Sequence, residues 1–122
     1  MIKHWVDKFR NAAHGVWLGT LGQSSFAIHI PLAILVIVCA IVLRCSAWQF
    51  AVLAVCIGWV MSLELMNSAI EYLARGLCHE HNNDVGKALD IASGAVLIAS
   101  LTAALIGAAI LGYQAIELFG QP

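Results

Sequence analysis

The sequence predicts an all-α membrane protein: an N-terminal amphipathic surface helix and three transmembrane helices in one membrane domain covering residues 1–122. Three observations carry this. The chain is 61% hydrophobic and 11% charged, where a soluble domain carries about 25% charged residues. Its mean hydropathy is +0.89, so lipid must be its main solvent. Its few polar residues cluster between apolar runs long enough to span a bilayer, which takes about 20 residues each. The net charge of −1 leaves no basic surface for nucleic acid, which is excluded as a partner.

Residues 1–24 hold the surface helix. Trp5, Phe9, Ala12, Ala13, Val16 and Trp17 recur at helical spacing, and Lys3, Asp7, Lys8, Arg10, Asn11 and His14 fill the other face. Such a helix lies in the interface, its basic residues on anionic headgroups. Span one covers residues 26–43 and is almost purely apolar; Arg44, Cys45 and Ser46 close it, and Trp48 falls where an aromatic belt would. The short turn makes spans one and two an antiparallel hairpin. Span two covers 49–77 and turns polar beyond Leu63. Residues 78–86, CHEHNNDVG, are the polar loop, and span three covers 87–118. Ser100, Ala104, Ala108 and Gly112 form a small-residue stripe on span three, suited to close helix packing within or between subunits. Cys39, Cys45, Cys56 and Cys78 match no metal or redox spacing and read as packing residues. Five of the six Lys/Arg lie in the N-terminal segment or around the second loop, and only Arg44 in the first. The positive-inside rule therefore puts the N-terminus and residues 78–86 in the cytoplasm.

Chemistry concentrates on span two. Glu64, Asn67, Ser68, Glu71 and Arg75 fall within about 100° of arc on one helical face. Glu64 lies about 22 Å along the helix from Gln49, inside the hydrocarbon or at its inner edge. A carboxylate at that depth costs several kcal/mol unless paired or hydrated, and no cation lies within one or two turns of it along the helix. Glu71 has a simpler explanation available, an i,i+4 pair with Arg75 that reaches the interface. With Lys87 and Asp90 at the start of span three, the face reads as a polar site at the membrane–cytosol boundary, able to hold Mg²⁺ through oxygen ligands and a phosphate-bearing substrate. The triplet His79-Glu80-His81 lacks the spacing and third ligand of a zinc site. It reads as a solvated loop or one that touches a nucleotide.

These residues resemble a known family. Glu64-Leu-Met-Asn67-Ser-Ala-Ile-Glu71 is similar to the ExxNxxxE signature of the small bacterial diacylglycerol kinases, which include undecaprenol kinases. Asp90-Ile-Ala-Ser93-Gly resembles their second signature, Phe9-Arg-Asn-Ala12-Ala-His-Gly15 their FxxAxxG surface helix, and Ser25-Phe26-Ala-Ile-His29 the start of their first span. The four pieces stand in the family's order and cover nearly the whole chain.

The resemblance implies a homotrimer in the bacterial inner membrane and transfer of the ATP γ-phosphoryl group, with Mg²⁺, to a lipid alcohol, diacylglycerol or undecaprenol. It implies Glu64 as general base, with Asn67 beside it in the catalytic pair, and a metal held by Glu71 and the position of Gln23. Glu71, Arg75, Glu80, His81, Lys87 and Asp90 would face the nucleotide, and Glu64, Ser68 and Ser93 the lipid. Four positions depart from the family: Gln23 and Arg75 replace acids, Ala27 an arginine and Leu89 a lysine. Lys87 or Arg75 would supply the phosphate-binding charge lost at Leu89. Two other readings of the same face stay open, a phosphatase acting on lipid phosphates and a non-catalytic lipid-binding protein.

Overall fold

A computed structural model describes residues 1–21 and 24–120. Among these residues the chain is four α-helices with no strand: α1 (Ile2–Thr20), α2 (Ser24–Val42), α3 (Ala47–Leu77) and α4 (Asn83–Phe119). The last three are long and apolar enough to cross a membrane.

Local chemistry sets the helix ends that hydropathy alone misses. Helix α3 starts at Ala47 because Ser46 and Gln49 stand at the first and fourth positions of a capping sequence. The Gln49 side-chain oxygen accepts from the Ser46 N–H at 2.8 Å and so satisfies a donor that the helix start leaves free. Helix α4 starts at Asn83, four residues before the expected 87. The Asn82 side chain accepts from the N–H groups of Asp84 (2.9 Å) and Val85 (3.2 Å), and Asp84 adds an acid to the first turn. The polar loop is thereby shortened to 78–82.

Helices α3 and α4 form the most extensive packing in the chain. Leu53 is fully buried against Gly107, itself buried. The buried small residues of α4 are Ala99 and Gly107, one position off the stripe read from the sequence. Within the chain, Ala108 and Gly112 of that stripe are exposed. At the far end of the hairpin two glutamines clamp the α2–α3 turn. Gln49 Nε2 donates to Gln114 Oε1 at 3.3 Å, and Gln114 Nε2 donates to the carbonyls of Leu43 (3.0 Å) and Arg44 (3.3 Å). The turn needs this help, because Arg44 takes a left-handed φ of 57°, unfavourable for a residue with a Cβ.

Helix α1 meets the bundle through its C-terminal end. Gly19 is buried, and its carbonyl accepts from Ser68 Oγ at 3.4 Å. A Cβ at Gly19 would run into the Leu65 side chain, so glycine permits this close approach. Trp5, Phe9, Val16 and Trp17 are left exposed along the apolar face of α1.

Candidate active site

The span-two face is built as the spacing predicts, but its partners come from elsewhere. Glu64 is 3% exposed. Its Oε1 lies 2.9 Å from Nε2 of His29, on α2. The partner that is missing along α3 is thus supplied across the helix pair. His29 is the partner to which sequence reasoning assigned no role. A signal was present: counting outward from the turn at Cys45, His29 lies 16 residues back and Glu64 19 residues forward. In an antiparallel hairpin this puts a lone histidine and a lone acid at similar depth.

Two turns further along α3, Glu71 does not pair with Arg75. Asn67 Nδ2 donates to Glu71 Oε1 at 3.0 Å, and the Arg75 guanidinium stacks over the Tyr72 ring, 4.5 Å from its centroid. Asn67 Oδ1 is buried and, among the described residues, has no hydrogen-bond partner. A buried acceptor of this kind is costly to leave unmade, and it stands beside a carboxylate that bonds the same side chain. Mg²⁺ is usually held by one or two carboxylates together with substrate phosphates, so Glu71 with Asn67 Oδ1 fits such an ion. Among the described residues no three His, Cys, Asp or Glu side chains cluster tightly enough to hold a metal by themselves.

A cavity of about 400 Å³ opens beside this pair, lined by Glu71, Arg75, Glu80, His81 and Leu89 among others. Four of the six residues read as nucleotide-facing therefore share one concavity. His81 is tied to the start of α4 by a 3.1 Å contact between Nε2 and Asn83 Oδ1. Lys87 and Asp90 do not line the cavity. Lys87 lies 3.9 Å from Asp84, both strongly exposed, and Asp90 and Ser93 are exposed on α4. Ser68 is buried and bonded to α1. Gln23 lies outside the described residues.

The prokaryotic diacylglycerol kinase family matches residues 10–111 of the chain. The undecaprenol kinase of Bacillus subtilis (strain 168) is 28% identical over 106 residues, covering 87% of this chain and 86% of that protein. The diacylglycerol kinase of Synechocystis sp. (strain PCC 6803) is 36% identical over 104 residues, covering 84% of this chain and 59% of the longer relative. No solved structure matches. Four helices in this order, a buried acid beside an Asn–Glu pair, and a family match over most of the length lead to one conclusion: the chain belongs to the prokaryotic diacylglycerol kinase family of membrane lipid kinases.

Proposed function

We propose that this lipid kinase transfers the γ-phosphoryl group of ATP to the hydroxyl of a membrane lipid alcohol at the cytoplasmic face of the bacterial inner membrane, with Glu64 as the general base. The observation that carries the proposal is the buried Glu64 carboxylate, held by His29 through one oxygen. Its other oxygen can receive the acceptor's proton.

In the step, the acceptor O–H bond breaks and its proton passes to Glu64. The oxygen attacks the γ-phosphorus, the bond to the β–γ bridging oxygen breaks, and ADP leaves. A base must come within about 2.6–3.2 Å of that proton. His29, donating from Nε2, holds the carboxylate in one orientation. Phosphoryl transfer otherwise needs positioning and charge neutralisation more than covalent help. Glu71 and Asn67 Oδ1 would hold Mg²⁺, with Gln23 as a further oxygen ligand, and the ion would neutralise phosphate charge. Arg75 supplies the cation that Leu89 lacks, since both line the same cavity. Glu80 and His81 contact the nucleoside end, and Lys87 screens the phosphates from the rim.

Three copies of the chain complete the assembly. Asp90 and Ser93, exposed on α4 of one subunit, face the nucleotide and lipid at a boundary between copies. The bare apolar face of α1 rests on the cytoplasmic leaflet, and Ser68 sits at the lipid side of the site. The family assignment does not favour a phosphatase. The test is purified protein in vesicles with γ-labelled ATP, Mg²⁺ and a panel of lipid alcohols, with phosphate release from lipid phosphates followed in parallel. Labelled lipid phosphate with no release of free phosphate is the expected result. Release without labelled lipid would overturn the proposal.

A further inference from the structure

We infer that the cavity bounded by α2, α3 and α4 is a slot for one ester-linked acyl chain of the acceptor lipid, with Ser100 hydrogen-bonded to the ester carbonyl. The inference rests on the reading of Glu64 as the base that meets the acceptor's hydroxyl.

The cavity measures about 230 Å³. An apolar cavity of about 150 Å³ already takes up a benzene-sized molecule. Its walls are side chains such as Leu32, Val36, Leu53 and Val60. Along α3 it runs from Met61 to Leu53, a depth of about 12 Å at 1.5 Å per residue. Because Glu64 follows Met61 on the cytoplasmic side, the cavity descends from the site toward the middle of the membrane.

His29 belongs to both places. Its ring lines the cavity, and its Nε2 bonds the Glu64 carboxylate. An alcohol whose oxygen reaches Glu64 therefore has its first carbons beside His29, with the apolar slot directly below. A detached hydrophobic pocket elsewhere in the spans would carry no such implication.

Ser100 identifies the kind of chain. Its Oγ is buried and has no hydrogen-bond partner among the described residues, although a serine within a helix can turn back to a carbonyl of the preceding turn. It lines the same cavity, where His29 is the one other residue able to hydrogen-bond through its side-chain nitrogen or oxygen. The register of the α3–α4 pair, fixed by Leu53 beside Gly107 and Gln49 bonded to Gln114, puts Ser100 level with Val60 and Met61. That is about one helical turn, roughly 5 Å, below Glu64. In a glyceride the nearest ester carbonyl lies only a few bonds from the free hydroxyl and would satisfy Ser100. A polyprenyl alcohol has only hydrocarbon at that depth and would leave the hydroxyl bare. The slot thus favours a glyceride acceptor over a prenol.

The test uses full-length protein in phosphatidylcholine vesicles, with a diacylglycerol bearing a diazirine midway along one acyl chain and, separately, a diazirine-bearing polyprenol. After illumination, the diacylglycerol label should map to Ala33, Cys56 and Ala103. It should fall when excess unlabelled diacylglycerol is added, and fall in Ala103→Leu. Label spread over Leu101 and Leu105, which are exposed on α4, unmoved by competitor, would overturn the slot. This readout needs no ATP, so it decides the slot even if no lipid alcohol is phosphorylated and the kinase reading fails. Ser100→Ala should raise the KM for diacylglycerol about five-fold, the loss of one neutral hydrogen bond, and leave the KM values for polyprenol and ATP unchanged. Equal effects on both lipids, or stronger slot labelling by the polyprenol, would overturn the ester assignment.

Discussion

Replacing His29 with leucine removes the one side chain among the described residues that pairs with the Glu64 carboxylate. Glu64 is 3% exposed and its partner is 2.9 Å away, so water cannot readily take the imidazole's place. Leaving a buried acceptor without its donor costs about 1–3 kcal/mol, and more when the acceptor is charged. If the carboxylate turns away to recover a partner, that energy is lost from the catalytic arrangement. At about 1.4 kcal/mol per decade, turnover should fall roughly 10- to 100-fold. The KM for ATP should stay within two-fold, because His29 does not line the nucleotide cavity. His29→Gln keeps an N–H donor of similar reach and should recover much of the loss. A double-mutant cycle with Glu64→Gln separates this contact from general disruption: once Glu64 can no longer act as base, removing His29 should cost little more. The assay is initial-rate formation of labelled lipid phosphate in vesicles. Additive losses in the cycle, or a His29→Leu turnover within three-fold of wild type, would refute the pairing as the reason Glu64 is held in position.

Arg75→Met should raise the KM for ATP several-fold, whereas Gln23→Glu with Leu89→Lys should increase ATP-dependent phosphorylation, because the pair restores a carboxylate and a cation to the family pattern; steady-state ATP kinetics check both. Gln114→Leu removes the clamp on the α2–α3 turn, and at about 0.6 kcal/mol per interhelical hydrogen bond in a membrane, with an upper end near 1.7, it should lower the midpoint of detergent-induced unfolding by an amount equivalent to about 1–3 kcal/mol, with no change in KM for ATP. In intact cells an impermeant thiol reagent should reach Cys45 and label Cys78 only after permeabilisation; the reverse pattern would invert the orientation.

The architecture was legible because lipid imposes it. Long apolar runs separated by Arg44-Cys45-Ser46 and by CHEHNNDVG leave few alternatives, and the polar face from Glu64 to Arg75 follows from helical periodicity alone. What remained hidden was tertiary. Periodicity ranks residues on one helix, so it offered Arg75 as the partner of Glu71, while the structure bonds Glu71 to Asn67 and stacks Arg75 on Tyr72. It could not find His29, whose partner is 35 positions away in the chain. The start of α4 moved four residues because the Asn82 side chain caps it, a local hydrogen bond that hydropathy does not register. The residues that α4 buries within the chain, Ala99 and Gly107, sit one position from the small-residue stripe because helix rotation is set by where Leu53 meets Gly107, and that depends on the partner helix.

The most direct measurement is the turnover of Glu64→Gln beside wild type, with γ-labelled ATP, Mg²⁺ and the preferred lipid alcohol in the same vesicles. Glutamine has the size of glutamate, and its amide oxygen can still accept from His29, so packing is retained while the proton acceptor is lost. Turnover should fall about 10²- to 10⁴-fold, the usual contribution of a general base, with helicity and the KM for ATP unchanged. Turnover within a few-fold of wild type would contradict the role of Glu64 as the base and leave it a structural partner of His29.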